Sequence, residues 1–385
     1  MSPVSAARAG RLDRADALAA VFAETAAAYD RAGRLARANF ERLHEAGFLR
    51  LTVPSALGGD EIGLLETTEL LGRIARGDAS TALVLAMHLI QTAAISRSDR
   101  WPRDLVQRVA AGSLTGITLL NALRVEPELG TPARGGLPAT TARRTDHGWL
   151  LSGRKIYSTG SSLLSWGAVW ARTDDAEPRV GMFLVPMTSA GIRIVETWDH
   201  LGMRATGSHD VLFEDVFLPA DHAADVRLPT AWGPPDPVQA GWSILAVSAI
   251  YDGIARAARD WFVEHLKGRR PSNLGAPLAS LPRFQEAVGE IDGWLAVNRR
   301  LIAGAAAELD SMPARFSAVE AGLIKRTVTA NAIKAVERAL ELSGNRGLDR
   351  ANPLERHYRD VLCSRIHTPQ DDSILLAAGR AALAV

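Results

Sequence analysis

The chain has 385 residues, of which 47% are hydrophobic and 23% charged, enough for two or three domains around sizeable cores and too apolar for disorder. With 44 basic residues against 43 acidic ones, a net charge of +1 gives no broad electrostatic reason to bind nucleic acid or an anionic membrane. The single cysteine, Cys363, excludes an intramolecular disulfide and any multi-cysteine zinc site, which fits a cytoplasmic protein with a small-molecule partner.

Residues 1–20 scatter Arg8, Arg11, Asp13, Arg14 and Asp16 among alanines and lack the apolar core of a signal peptide. No stretch approaches the roughly 20 apolar residues of a membrane-spanning helix, and the longest apolar run, Ile244 to Ile250, is interrupted by Ser248. From Leu12 to Ala111 the pattern is alanine-rich and helical, with Thr81 to Gln91 reading as a buried helix. Texture changes near Gly112. Short runs rich in β-formers, from Trp149, Ala168, Val180, Gly191 and Val211, are separated by Gly, Pro, Asp and Ser. The prolines of residues 232–237 remove backbone donors and mark a second boundary.

Helical texture then returns. Ile324, Val328, Ala332, Val336 and Leu340 recur at fourfold spacing and predict one apolar face between Ser317 and Leu342, with Glu320, Lys325, Lys334 and Glu341 off it. Gly344 supplies the stop. The expected organisation is a helical domain over 1–112, a β-domain over 113–228 and a helical bundle over 229–385.

The sequence lacks a Gly-x-Ser-x-Gly elbow, a Walker loop and a Gly-x-Gly-x-x-Gly fingerprint, so hydrolase, NTPase and Rossmann readings have no support. Three other motifs occur in order. They are Lys155-Ile-Tyr-Ser-Thr-Gly-Ser-Ser, then Trp198-Asp-His-Leu-Gly-Met-Arg-Ala-Thr-Gly-Ser, then Leu342-Ser-Gly-Asn-Arg-Gly-Leu with the tail Pro353 to Asp372. Together they resemble the acyl-CoA dehydrogenase superfamily of flavoenzymes. The resemblance implies an α+β, mostly α fold: an N-terminal helical domain, a central β-barrel or sandwich and a C-terminal four-helix bundle. It also implies FAD or FMN between β-domain and bundle, in a homotetramer or homodimer whose neighbouring chains complete the cofactor site. Tyr157, Thr159 and Trp198 then border the flavin ring, Gly344 and Asn345 approach its phosphate, and Arg270 is a weaker candidate for a phosphate contact across a subunit boundary.

The dehydrogenases carry a tail Ile-Tyr-Glu-Gly-Thr, whose glutamate removes the proton beside a thioester carbonyl. Here the aligned residues are Ile366, His367, Thr368, Pro369 and Gln370, and the alternative position, on the first helix after the β-domain, holds Ser243. The usual Thr-Glu-Pro-Gly loop is replaced by a run from Leu120 to Gly130. His88, the Asn121-Ala122 pair, Trp198, and His367 with Pro369 resemble instead the flavin-dependent monooxygenases of this fold, such as dibenzothiophene monooxygenase. On that branch His88, Asn121 and His367 are the expected catalytic donors to a flavin C4a-peroxide, with a separate flavin reductase as partner. Neutral imidazole and amide groups can donate such hydrogen bonds, whereas ionised carboxylates cannot. The competing expectation is an acyl-CoA or acyl-carrier-protein dehydrogenase with an acyl-thioester substrate and Asp371 or Asp372 as a displaced base. A non-catalytic binding module is the third.

Simpler roles stand beside these. A lone histidine on an apolar helix, as His88 is, commonly serves the core. Tyr157 and Trp198 suit β-domain packing. His200, His209 and His222 match no metal-ligand spacing and read as loop residues, Lys155 reads as a strand-edge charge, and Arg356, Arg359 and Asp360 read as an ion-pair network bracing the tail.

Overall fold

A computed structural model describes residues 3–129, 136–233 and 236–384. Five helices come first: α1 (Pro3–Ala32), α2 (Arg37–Glu45), α3 (Leu64–Gly77), α4 (Ala79–Arg97) and α5 (Arg103–Thr115). Asp78 ends α3 and starts α4 at once, its carboxylate accepting from the Ser80 amide at 3.0 Å in an N-cap. Among the described residues α4 is the one helix long and apolar enough to cross a membrane. It is instead sheathed by protein, touching α3, α6 and β1, so its apolar surface is spent on the core.

The middle of the chain forms β1 (Leu120–Leu123), β2 (Thr141–Thr145), β3 (Gly148–Lys155), β4 (Trp166–Thr173), β5 (Val180–Pro186), β6 (Ile192–Val195), β7 (Asp210–Pro219) and β8 (Ala223–Arg227). They make one sheet in the order β6-β7-β3-β2-β4-β5-β8, with β1 pairing parallel to β4. The five expected β-runs are β3, β4, β5, β6 and β7. Strands β1, β2 and β8 had no clear sequence signature, being short or charged: β2 is Thr-Ala-Arg-Arg-Thr. The β1–β4 register sets Asn121 opposite Gly167, and α4 packs against β1.

Lys155 is no edge charge. It is fully buried, and its Nζ donates to Glu126 Oε1 at 2.5 Å, while Glu126 also accepts from the Ala139 and Thr140 amides and the Thr140 hydroxyl. Burial pulls the lysine down to about 8, its charged partner notwithstanding. This pair locks the loop after β1 onto the end of β3, the strand that leads into Tyr157.

Helices α6 (Pro237–Gly268), α7 (Pro282–Ser311), α8 (Ala318–Ser343), α9 (Leu354–Leu362) and α10 (Asp371–Leu383) complete the fold. The Ser317 hydroxyl caps α8 by accepting from the Glu320 amide at 3.2 Å, and Val328, Ala332 and Val336 are buried as their spacing predicts. Lys325, expected off that face, lies in it and is 1% exposed. Helix α6 packs on α3 and α8, so the first and last helical segments share one core. The architecture is the expected one: mostly helical, with a central sheet.

Candidate active site

Beyond β3 the chain turns sharply at Tyr157, whose φ of 54° lies in the left-handed region that a tyrosine adopts at a cost. The turn leaves its ring 53% exposed. Tyr157 meets the edges of Trp198 and His200 at centroid distances of 6.2 and 5.9 Å, and those two rings stack at 3.7 Å. Trp198 is fixed at both ends, its Nε1 donating to the Met203 carbonyl at 3.0 Å and its amide to His209 Nδ1 at 3.1 Å. The segment 198–208 is pinned in turn to α9. The Met203 amide donates to Asp360 at 2.6 Å, and Gly202 lies so close to the Arg359 carbonyl that a Cβ there would fall 2.3 Å from the oxygen. Arg359 reaches both oxygens of Asp30 on α1, at 3.1 and 2.7 Å. Arg359 and Asp360 thus brace the tail as expected. Arg356, grouped with them, makes no hydrogen bond or ion pair among the described residues.

Hydroxyl and amide groups border the aromatic wall. Asn121 Nδ2 donates to the Thr159 carbonyl at 3.0 Å, and Thr159 Oγ1 lies 3.0 Å from Ser208 Oγ, which lies 2.8 Å from Thr206 Oγ1. Four of the expected residues, Tyr157, Thr159, Trp198 and Asn121, therefore converge. Ser158 Oγ and His200 Nδ1 are buried there without a hydrogen-bond partner. Such atoms are costly unless a ligand or water meets them. An exposed aromatic face, hydroxyls at its edge and orphaned polar atoms fit a flavin ring with its row of carbonyl and amide groups.

The tail contributes a second cluster. His367 is half-buried, and its Nδ1 lies 2.5 Å from the Tyr251 hydroxyl on α6. Burial holds the Tyr251 phenol well above its ordinary value of 10.0, so it keeps its proton and donates to Nδ1. Burial, aided by the nearby charge of Lys325, pulls His367 down to about 4. The ring is therefore neutral near pH 7 with its proton on Nε2. Lys325 sets the loop itself: its Nζ donates to the carbonyls of His367 at 2.9 Å, Pro369 at 2.8 Å and Ser364 at 3.4 Å. Burial lowers Lys325 to about 8. Sequence reasoning missed this clamp, and the only signal was a lysine one position along from Ile324 on an amphipathic helix.

His88 is bonded to backbone through both ring nitrogens. Its Nδ1 accepts from the Leu120 amide at 3.2 Å, which leaves the proton on Nε2, and that proton goes to the Leu49 carbonyl at 2.7 Å. Both ring nitrogens are committed to backbone, and burial lowers the ring to about 4. His88 is a core bracket joining α4 to β1, with no N–H left for an oxygen ligand. His222 is similarly used, by the Leu184 carbonyl at 2.7 Å and Arg108 at 3.4 Å.

No contact among the described residues joins Arg270, Gly344 or Asn345 to the aromatic wall. Gly344 (φ 57°) opens the turn after α8, with nothing near its missing Cβ, while Arg270 is exposed in the loop between α6 and α7. Asp371 is more than half exposed and lies 3.7 Å from Arg326, on the first turn of α10. Ser243 spends its hydroxyl on the Gln239 carbonyl at 3.1 Å.

Three family models match in register: acyl-CoA dehydrogenase N-terminal domain over residues 11–98, middle domain over 125–216 and C-terminal domain over 245–371. The chain is 34% identical over 366 residues to putative acyl-CoA dehydrogenase YdbM of Bacillus subtilis (strain 168), covering 94% of each. It is 29% identical over 384 residues to L-evernosamine nitrososynthase of a Micromonospora species, covering 92% of this chain and 86% of that one. Among solved structures, KijD3 in complex with FMN and a dTDP-linked amino-keto sugar superposes with a TM-score of 0.86 at 29% identity, covering 100% of this chain and 95% of that one. The motifs, the three-domain match and the 34% identical relative agree: the chain belongs to the acyl-CoA dehydrogenase family and is a flavin-dependent oxidoreductase.

Proposed function

We propose that this flavoprotein is a monooxygenase that oxygenates a small molecule, with reduced flavin delivered by a separate reductase in the cytoplasm. The observation that carries the reading is the tail. The two places where a family dehydrogenase keeps its carboxylate base hold Thr368 and Ser243, and next to Thr368 the His367 imidazole meets the Tyr251 phenol. Removing a proton next to a thioester requires a carboxylate in a dry pocket. Oxygen transfer requires hydrogen-bond donors that do not ionise, and a site that excludes water.

Reduced flavin, when bound, supplies the two electrons that let one atom of O₂ enter the substrate while the other leaves as water. Tyr157 and Trp198 wall the ring, Thr159 and Asn121 orient its polar edge, and His367 presents the Nε2–H donor fixed by Tyr251. Arg270, Gly344 and Asn345, remote from that wall within one chain, serve the flavin phosphate of a neighbouring subunit in a homodimer or homotetramer. Stopped-flow mixing of the reduced holoprotein with O₂ tests the reading, with hydrogen peroxide measured alongside. Reoxidation and peroxide release at least tenfold slower than for free reduced flavin are expected. Rates equal to those of free flavin refute it.

A second reading is favoured by the name of the 34% identical relative: an acyl-CoA dehydrogenase with Asp371 or Asp372 as base. It requires α10 to swing an exposed carboxylate inward. Anaerobic mixing with acyl-CoA thioesters decides, since flavin bleaching supports the dehydrogenase and its absence removes it.

A further inference from the structure

Away from the flavin wall, a cleft of about 660 Å³ opens between α1, α3, the second half of α6 and the turn leading into α9. One wall is apolar and smooth, built from alanines such as Ala19, Ala23 and Ala257. Its charged residues divide into two kinds. Arg73 and Arg76 are neutralised at the rim by Asp16 and Asp260. Arg350 and Arg356 have no hydrogen bond or ion pair among the described residues. Arg350 is exposed on the turn, but Arg356 is only 8% exposed. The acids close enough to feel its charge are already engaged. Asp78 accepts from the Ser80 amide, the Thr81 hydroxyl and Asn39, and Asp360 accepts from the Met203 amide.

A guanidinium cannot shed its proton and carries five N–H donors in a rigid fork. None of the Arg356 nitrogens is sealed away from solvent without a partner, so the donors reach the cleft, where an anionic ligand can meet them. The fork matches two oxygens of a phosphate or sulfate group. His357 beside it is neutral near pH 7, lowered to about 3 by burial and by the Arg356 charge, so it adds no competing positive site. The N-terminal turn of α9, on which Arg356 lies, lines the cleft and adds the partial positive charge of a helix start.

We propose that this cleft is a binding site for a phosphate-bearing small molecule, with Arg356 and Arg350 gripping the phosphate and the alanine wall receiving an apolar or flat remainder. The volume lies in the range of ordinary ligand pockets, roughly 300–1,000 Å³. The site is separate from the flavin wall, and the proposal does not depend on which reaction the flavin performs.

The test uses flavin-loaded protein, so that the cofactor's own phosphate site is filled, with inorganic pyrophosphate and AMP as probes and chloride as control. Binding is followed by calorimetry and by the ³¹P linewidth of the probe. Saturable binding of a phosphate probe is expected, weakened about tenfold or more by Arg356→Lys and also by Arg350→Gln, since each removes a charge-assisted contact. Arg350 is on the surface, so its variant keeps the test decisive if Arg356→Lys folds poorly. Absence of saturable binding, or binding unchanged in Arg350→Gln and in a folded Arg356→Lys, overturns the proposal and leaves the guanidinium to cleft water.

Discussion

Replacing Lys325 with methionine removes the ammonium that holds the His367 loop and keeps the length of the side chain. Two carbonyls lose donors at 2.9 and 2.8 Å, a third a weaker one at 3.4 Å. A buried acceptor left unpaired costs about 1–3 kcal/mol, so the two good bonds amount to about 2–6 kcal/mol. Against that, the folded protein holds the lysine at about 8 rather than 10.5. At about 1.4 kcal/mol per pH unit, that is roughly 3 kcal/mol of destabilisation which methionine does not carry. The two effects nearly cancel for global unfolding. They do not cancel locally, because the freed carbonyls can regain partners by opening to water, and the loop is already at the surface, with Ile366 59% exposed. Lys325→Met is therefore expected to change the unfolding free energy by about 3 kcal/mol or less, while the amides of residues 364–370 lose hydrogen-exchange protection. The pH dependence has a definite sign. Between pH 8 and 10.5 the native lysine releases its proton while the unfolded one retains it, so the wild type gains stability relative to the variant as pH rises through that window. Exchange measured by mass spectrometry, with urea unfolding in parallel, checks both parts. Unchanged protection over 364–370 refutes the claim that the ammonium anchors the loop.

His88→Gln cannot serve both Leu49 and Leu120, and is expected to cost about 2–4 kcal/mol in urea unfolding while kcat per folded, flavin-loaded molecule stays within about threefold. A selective collapse of kcat at unchanged stability would return His88 to the catalytic set. Burial raises Asp360 to about 7, so its native carboxyl keeps a proton that the unfolded chain has lost above about pH 4. That favourable difference fades with rising pH, and Asp360→Asn, which keeps an acceptor for Met203, should gain on the wild type between pH 4 and 7 by up to about 4 kcal/mol. A gap independent of pH, measured by unfolding at several pH values, would contradict it. Glu126→Gln removes the partner that holds the buried Lys155 up at about 8, so the variant lysine loses its proton at lower pH. The variant should cost about 3–5 kcal/mol at low pH, with the gap to wild type narrowing as pH rises towards 8 and constant above it. Gly202→Ala forces a Cβ against the Arg359 carbonyl, and flavin retention during gel filtration is expected to fall with modest loss of helix content.

The order of the fold was legible because strands β3 to β7 carry their own β-formers, and α8 its fourfold stripe with a serine cap. Strands β1, β2 and β8 were not, since their pairing depends on partners far along the chain. Of the candidate site, the nearness of Tyr157, Thr159 and Trp198 was legible because a motif keeps them within one stretch or beside a glycine turn. The errors were all charged or titratable residues. Lys155 and Lys325 were read as solvated because a lysine is ordinarily exposed, and the acceptors that let each go inside, Glu126 and the tail carbonyls, lie 29 and 39–44 residues away. His88 could not be told from a catalyst by pattern alone. Only the Leu120 amide on one nitrogen and the Leu49 carbonyl on the other decide its tautomer.

The docking of segment 198–208 onto α9 makes two distant parts of the chain mechanically one. A ring wall held through Gly202 and Asp360 cannot loosen unless the C-terminal helices shift, and Arg359 extends the same linkage to α1 through Asp30. Cofactor escape and melting of the chain's end should then share a single temperature, so the fluorescence of liberated flavin becomes a thermometer for α8 to α10, which contain no tryptophan.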